Sequence, residues 1–463
     1  METNNQQNGK FGKWVKTSIT ARMLMIGILI IVLMIPLSYI KKLIQERMYR
    51  QQEVVSEINQ KWGKEVLLYG PILKVPYKTY HKKYITNEKT NVQQKEIIEK
   101  IKYAYFFPNT LDINSNINPE EKERGIYKTA VYKSTISLKG SFTKPDFSEI
   151  EVKDKDILWD KTRLLMKTSN LKGVNNLFKI EFNKTDYSFA SKRFNDSSKE
   201  NAYYNRHTVA LNELESKNIK EDDLPKTKDI SFSMNISMNG SKQIRFIPVG
   251  KETNVNIKSD WKTANFIGEY LPYNSDKISA TGFDAKWKVL DINRPFSQQF
   301  FDGIPNLKKY AFGVNFMIPV DEYQKSERSV KYGFLVIGLT FLIFFLIQTM
   351  SKISIHPFQY LMIGIALTMF YTLLISISEH SSYLKAYLVA GISVVTLITL
   401  YSKSILKTIK FPVFIGISLT ALYTFIFVII QLENYALLVG SIGLFVILAS
   451  VMYASRKIDW ENN

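Results

Sequence analysis

Apolar and polar positions are spread very unevenly along the 463 residues. Six runs, at 23–40, 332–351, 357–378, 386–402, 411–432 and 434–455, are each 17 to 22 residues long and hold no Asp, Glu, Lys or Arg. A helix rises about 1.5 Å per residue, so roughly 20 residues cross a hydrocarbon layer about 30 Å thick. Burying six such runs in a soluble protein would need an improbably large core, so they predict six transmembrane helices. One lies near the N-terminus and five crowd into the last 132 residues. Residues 41–331, between the first and second runs, are polar and rich in Tyr and Lys.

Within that stretch the period changes. Residues 41–62 keep a helical rhythm, with Ile44, Met48, Val55, Ile58 and Trp62 at three- and four-residue spacings or their multiples, and Gly63 as a stop. The first helix is therefore expected to continue as a stalk with its apolar stripe on the following domain. Residues 321–331 run without Gly or Pro into the second span. In between, apolar residues alternate with period two, the mark of half-buried strands. The sets are Ile101, Tyr103, Tyr105, Phe107; Phe178, Ile180, Phe182; Ile230, Phe232, Met234, Ile236, Met238; and Phe283, Ala285, Trp287, Val289. Residues 149–176 and 205–223 read as helical or irregular insertions. Asn239-Gly240 signals a hairpin. A three-residue loop, 239–241, keeps the apolar faces together by setting Ile236 opposite Ile244 and Met234 opposite Phe246; a two-residue loop would set them opposite Gln243 and Arg245.

Charge orients the spans, because Lys and Arg in short loops stay on the cytoplasmic side. The first span is ambiguous, with Lys10, Lys13, Lys16 and Arg22 before it and Lys41, Lys42, Arg47 and Arg50 after it. The later loops decide. With both termini cytoplasmic, the inner loops and tail carry Lys352, Lys403, Lys407, Lys410, Arg456 and Lys457, and the short outer loops carry only Lys385. No small-x-small cleavage site follows 23–40, so that run reads as an uncleaved signal anchor. The predicted plan is a cytoplasmic tail (1–22), a signal anchor (23–40), an exported domain with helical stalks (41–331), a five-helix membrane region (332–455) and a cytoplasmic tail (456–463).

Net charge is +19, and residues 41–331 hold 50 Lys and Arg against 37 Asp and Glu. The excess suits anionic headgroups or envelope polymers, although a Lys-rich genome with solvated charges explains it as well. Nucleic acid is not an expected partner outside the membrane. There is no Cys, hence no disulfide, thiolate ligand or thiol nucleophile. The four His, at 81, 207, 356 and 380, form no HExxH pair, and no phosphate loop or GxSxG elbow occurs. No catalytic residue, metal site or cofactor is expected. The spans lack the mid-bilayer ionisable residues of coupled transporters. The polar candidates sit at span ends instead: Gln348, then Glu379 beside His380, a pair that either binds a metal or proton or simply caps a helix.

Several stretches resemble the CreD family of bacterial inner-membrane proteins, often called cell envelope integrity proteins. They include Ile35-Pro36-Leu37, Gln45-Glu46-Arg47, the run 70–77 (GPILKVPY), Gly125-Ile126-Tyr127, Val131-Tyr132, Trp261, 266–272 (FIGEYLP) and 282–287 (GFDAKW). The most specific is 320–333 (VDEYQKSERSVKYG), followed by Leu339-Thr340-Phe341, 356–367 (HPFQYLMIGIAL), Phe370-Tyr371 and 376–380 (SISEH). Two places depart from the pattern: Gln348 stands where an acidic residue is expected, and Ala264-Asn265 where Pro-Ser is expected. The resemblance implies an inner-membrane protein with a large periplasmic domain and a link to envelope stress, colicin tolerance and, in some bacteria, a two-component system. It implies no reaction.

These readings converge on an α+β membrane protein: six transmembrane helices, one N-terminal and five C-terminal, flanking a large β-rich antiparallel periplasmic domain. Its expected work is non-enzymatic support of the envelope, by binding membrane lipids, an envelope polymer or a periplasmic or inner-membrane protein. Candidate interaction residues are Asp321, Tyr323, Gln324, Arg328, Lys331, His356, Gln359, Glu379 and His380. The alternative is a transporter or enzyme acting on a lipid-linked envelope precursor, which needs convergent polar groups near Gln324, Glu379, His380 and Glu433.

Overall fold

The structure is a computed structural model that describes residues 19–86, 93–191, 211–226, 228–316, 322–351, 353–406, 408–432 and 435–456. The chain forms two compact units, one of Met1–Glu53 with Val320–Asn463 and one of Val54–Pro319.

The first unit is helical. Helix α1 (Ile19–Trp62) runs 44 residues, and its last turns belong to the second unit. After the central domain come α2 (Glu322–Lys331), α3 (Gly333–Ser351), α4 (Pro357–Ser378), α5 (Tyr383–Ile405), α6 (Lys410–Gln431) and α7 (Ala436–Ser455). Six of these, all but α2, are long and apolar enough to cross a membrane. The descent predicted at 321–331 is α2, separated from α3 by a turn at Tyr332, and Asp321 lies outside the described residues. In the span part of α1 one stripe, Ile26, Leu33 and Leu37, is buried. Glycines receive it: a Cβ on Gly364 would lie 2.1 Å from Leu33, and one on Gly333 would lie 2.9 Å from Leu37. Small residues let helices approach closely where lipid supplies no hydrophobic drive. Between α4, α5 and α6 the core is aromatic, with Phe370 against Tyr371, Tyr387 and Tyr423.

The second unit is a β domain of strands β1 (Val66–Thr86), β2 (Gln93–Phe106), β3 (Thr110–Arg124), β4 (Tyr127–Phe142), β5 (Arg163–Thr168), β6 (Lys179–Phe182), β7 (Thr185–Ser191), β8 (Asn212–Ser216), β9 (Ile230–Ser241), β10 (Gln243–Phe246), β11 (Glu252–Ser259), β12 (Ala264–Gly268), β13 (Ile278–Ser279), β14 (Gly282–Leu290), β15 (Gln299–Phe301) and β16 (Phe312–Phe316). Strands β12-β16-β10-β1-β5-β8 form one sheet and β6-β9-β4-β3-β11-β14-β13 the other, with β7 joining them through β8 and β6. The inner faces meet in one core: Trp287 and Phe283 of β14 pack on Phe266, Phe312 and Phe316 of β12 and β16. Pairing is antiparallel except for β1 with β10 and β3 with β11, where the chain crosses over between distant strands.

The alternating sets around 180, 234 and 285 are buried as the period predicted. Two other expectations are overturned and a third holds only in part. The 239–241 hairpin does not form: Asn239-Gly240 lies inside β9, and Ile236 faces Ile136 of β4. The chain instead turns at Lys242, whose φ is +59°, and enters the other sheet as β10. The face of β2 is reversed, with Ala104 and Phe106 buried and Ile101 and Tyr103 exposed; Tyr105 is half-buried, and of the predicted set only Phe107, just past the strand, is buried. Register explains this, because Leu73 and Val75 of β1 stand opposite Phe106 and Ala104 and draw them inward. Residues 149–176 hold 3-10 turns and the buried strand β5, with no α-helix, and the described part of 205–223 holds β8 and another 3-10 turn.

The end of α1 packs on this domain through Val54 and Asn59, with Val55, Ile58 and Trp62 of the predicted stripe half-buried. The Trp62 indole donates to the Tyr132 carbonyl at 3.3 Å, and Lys172 Nζ donates to the Gln60 carbonyl at 2.8 Å. Gly63 ends the helix with φ +154° where a Cβ would lie 2.8 Å from the Asn239 carbonyl oxygen.

Candidate functional site

The residues proposed from sequence fall at two ends of the helical unit. His356 and Gln359 begin α4, whereas Glu379 and His380 follow its last residue; its 22 residues separate them by roughly 33 Å at about 1.5 Å per residue. At the Glu379 end, Glu379 Oε1 lies 3.3 Å from Arg47 Nε of α1 and 3.4 Å from the Tyr323 hydroxyl of α2. The neighbouring Glu322 accepts from the Tyr383 backbone N–H at 2.9 Å, an anion at the start of α5 where orphan donors and the helix dipole favour one. Ser329 and the Tyr383 hydroxyl are 2.6 Å apart. These contacts tie α1, α2, α4 and α5 together. Gln324, Arg328, Lys331 and His380 are exposed on the same end.

At the other end, His356 Nδ1 accepts from the Phe358 N–H at 3.2 Å, and Gln359 Oε1 accepts from the His356 N–H at 2.8 Å. With Pro357 at the first helical position, this is a reciprocal N-cap. His356→Ala is expected to cost about 0.5–2 kcal/mol. Thermal unfolding of the purified protein checks this, with His356→Asn restoring most of the loss. Gln348 is buried in α3 and accepts from the Tyr360 hydroxyl of α4 at 2.8 Å, so the departure from an acidic residue leaves a neutral pair in an apolar bundle.

A second constellation lies in the β domain, on the face of the β2-β1-β5-β8 ribbon turned away from the core. Lys74 of β1 stands opposite Tyr105 of β2 and Arg163 of β5. Lys74 Nζ is 2.6 Å from Glu215 Oε1 of β8 and 4.4 Å from the centre of the Tyr103 ring. Arg163 reaches the other Glu215 oxygen at 3.2 Å and donates to Asn218 Oδ1 at 2.8 Å. Side chains of Lys74 and Glu215 are each 11% exposed. Burial, with Glu213 and Glu215 nearby, pushes the Tyr105 hydroxyl up to about 12, which keeps it neutral. Lys74, Tyr103, Arg163, Glu215 and Asn218 line a cavity of about 380 Å³, together with Lys161 and, as its apolar wall, Pro76, Ile101 and Leu158.

The cavity presents three cations against one carboxylate, beside an aromatic face. That combination accepts an anion and stacks an apolar ring. Farther along the paired β1 and β2 strands Tyr80 and Ile97 are exposed on one face and Ile98 on the other. Sequence reasoning missed the site. One local sign was available, Lys74 as the one charge in the first half of β1, residues 66–77; Glu215 and Arg163 join it only through pairing of distant strands. Among the described residues no group of three or more His, Asp and Glu is placed to hold a metal.

The sequence model of the CreD family, described as inner membrane protein CreD, matches residues 18–461. This chain belongs to the CreD family. It is also 27% identical over 434 residues to the inner membrane protein CreD of Escherichia coli (strain K12), covering 93% of this chain and 91% of that protein. Family membership and six apolar helices make this a multi-pass inner-membrane protein with one N-terminal and five C-terminal spans around a β-rich domain.

Proposed function

We propose that this CreD-family protein supports the integrity of the cell envelope by binding rather than by catalysis. In this reading both termini are cytoplasmic, and the β domain lies in the periplasm. Its ligand is an anionic envelope glycan held in the Lys74–Arg163–Glu215 cavity. The observation that carries the reading is the composition of that cavity. A buried lysine–glutamate pair contributes little to stability relative to apolar packing, so its presence on a strand favours a functional use. Tyr103 supplies a platform for a sugar ring, and Lys161 and Arg163 supply charge at the mouth.

The alternative, action on a lipid-linked precursor, requires Gln324, Glu379, His380 and Glu433 to converge. Glu379 is engaged by Arg47 and Tyr323, Gln324 and His380 are exposed, and Glu433 lies outside the described residues. Binding is therefore the favoured reading.

The test titrates the full-length protein in lipid nanodiscs with a carboxylate- or phosphate-bearing oligosaccharide and with its neutral analogue. Saturable binding of the anionic probe alone is expected, weakened about tenfold or more by Lys161→Glu with Arg163→Glu, on the scale of one lost charged contact. Equal affinity for the neutral analogue, or no effect of the double variant, refutes the assignment.

A further inference from the structure

Helices α6 and α7 touch at one end and part at the other. Contact is made where Gly440 faces Ile429, 3.8 Å from a notional Cβ, and where Gly443 takes the Phe425 ring, whose edge lies 2.1 Å from a notional Cβ. Toward the start of α6 and the end of α7 the helices diverge. The gap, closed on its third side by α3, is a cleft of about 880 Å³. Its wall is almost wholly apolar, with Phe414 and Ala421 of α6, Ile447 of α7 and Met350 of α3 among the lining side chains. Lys410, the first residue of α6, is the one charged residue of the wall, and Arg456 follows the last residue of α7 at the same end. No residue of α7 is buried, so α7 is held mainly along the two glycines and leaves the cleft accessible from the side.

In a bilayer such a space is neither dry nor wet. Water gains nothing from an apolar wall, and a void of this size forfeits the dispersion contacts of every side chain around it. Its volume lies within the roughly 300–1,000 Å³ of ligand pockets. Charge selects the occupant. A lysine at the mouth, with an arginine one helix away, complements a phosphate that lacks a compensating amine. We propose that the cleft is a binding site for an anionic phospholipid, its acyl chain between α3, α6 and α7 and its phosphate on Lys410. On the charge-based orientation this lipid belongs to the cytoplasmic leaflet. It would act as a wedge that fixes the angle of α7. The site is remote in sequence and in composition from the glycan cavity, and either assignment can fail alone.

The test is native mass spectrometry of the full-length protein, released from nanodiscs holding equal amounts of phosphatidylglycerol and phosphatidylethanolamine. Wild type is expected to retain phosphatidylglycerol in preference. Lys410→Gln should lower that preference about fivefold, the effect of one cation near the surface, while leaving total bound lipid similar. Ala421→Phe, which fills the cleft without touching charge, should reduce retention of both lipids. Thermal unfolding of each variant confirms that it is folded, and Ala421→Leu replaces any that is not. Equal retention of the two lipids by wild type, indifference to Lys410→Gln, or a lipid-free dimer whose interface is α7 overturns the proposal.

Discussion

Glu215→Leu is expected to destabilise the β domain by about 3–5 kcal/mol, because it strands the buried Lys74 ammonium without its partner. Arg163 and the Tyr103 ring do not compensate: one is a second cation, and the other offers only a quadrupole. A domain stabilised by about 5–15 kcal/mol loses a large share of its margin. Combining Glu215→Leu with Lys74→Met should recover most of the loss, since no buried unpaired charge stays behind and the exposed Arg163 keeps Asn218. The double variant should fold and yet bind no anionic glycan. Thermal and denaturant unfolding of the four proteins of this cycle measures the coupling directly. A loss below about 1 kcal/mol in the single variant would mean that the pair is effectively solvated, as exposed pairs are.

Gly240→Val is expected to be comparably severe, and for a purely steric reason. A Cβ at Gly240 would lie 2.3 Å from Cζ and the hydroxyl oxygen of Tyr132. Tyr132 has nowhere to go: it is fully buried, its hydroxyl donates to the Gln243 carbonyl at 2.8 Å, and its ring packs on Phe316 at 5.0 Å. Overpacking of a well-filled core typically costs about 1–3 kcal/mol and more where neighbours are pinned. Gly240→Val should therefore lower the melting temperature or abolish accumulation of the folded protein. Pairing it with Tyr132→Ala should recover part of the loss by vacating the space. If Gly240→Val is neutral, β9 does not pass under Tyr132.

The same glycine shows where sequence reading stops. Asn239-Gly240 carries the local chemistry of a hairpin, and the apolar phases of β9 and β10 agree with one. The glycine is there for a different reason, to admit an aromatic ring from a strand more than a hundred residues earlier. Nothing within the segment distinguishes the two uses. The spans were legible because a stretch of about 20 residues without a single charge fits a bilayer and little else. The strands around 180, 234 and 285 were legible because one face is core and the other is not. Strand β2 was misread because its apolar residues are more numerous on the face that leaves the core. That face lines the cavity, and apolar residues turned to a cavity break the rule that alternation marks the interior. Of the site itself only Lys74 left a trace, since Glu215 and Arg163 become its neighbours through the β1-β5-β8 pairing alone.

Every functional statement about the β domain depends on its being exported. The absence of cysteine makes this directly measurable with single introduced thiols. Leu177 is 73% exposed in the β domain, and Lys403 is exposed near the end of α5. In cells with a permeabilised outer membrane, a membrane-impermeant maleimide should label Leu177→Cys at once and Lys403→Cys only after lysis. Labelling of Lys403→Cys in intact cells, with Leu177→Cys protected until lysis, would place the domain in the cytoplasm and contradict the account.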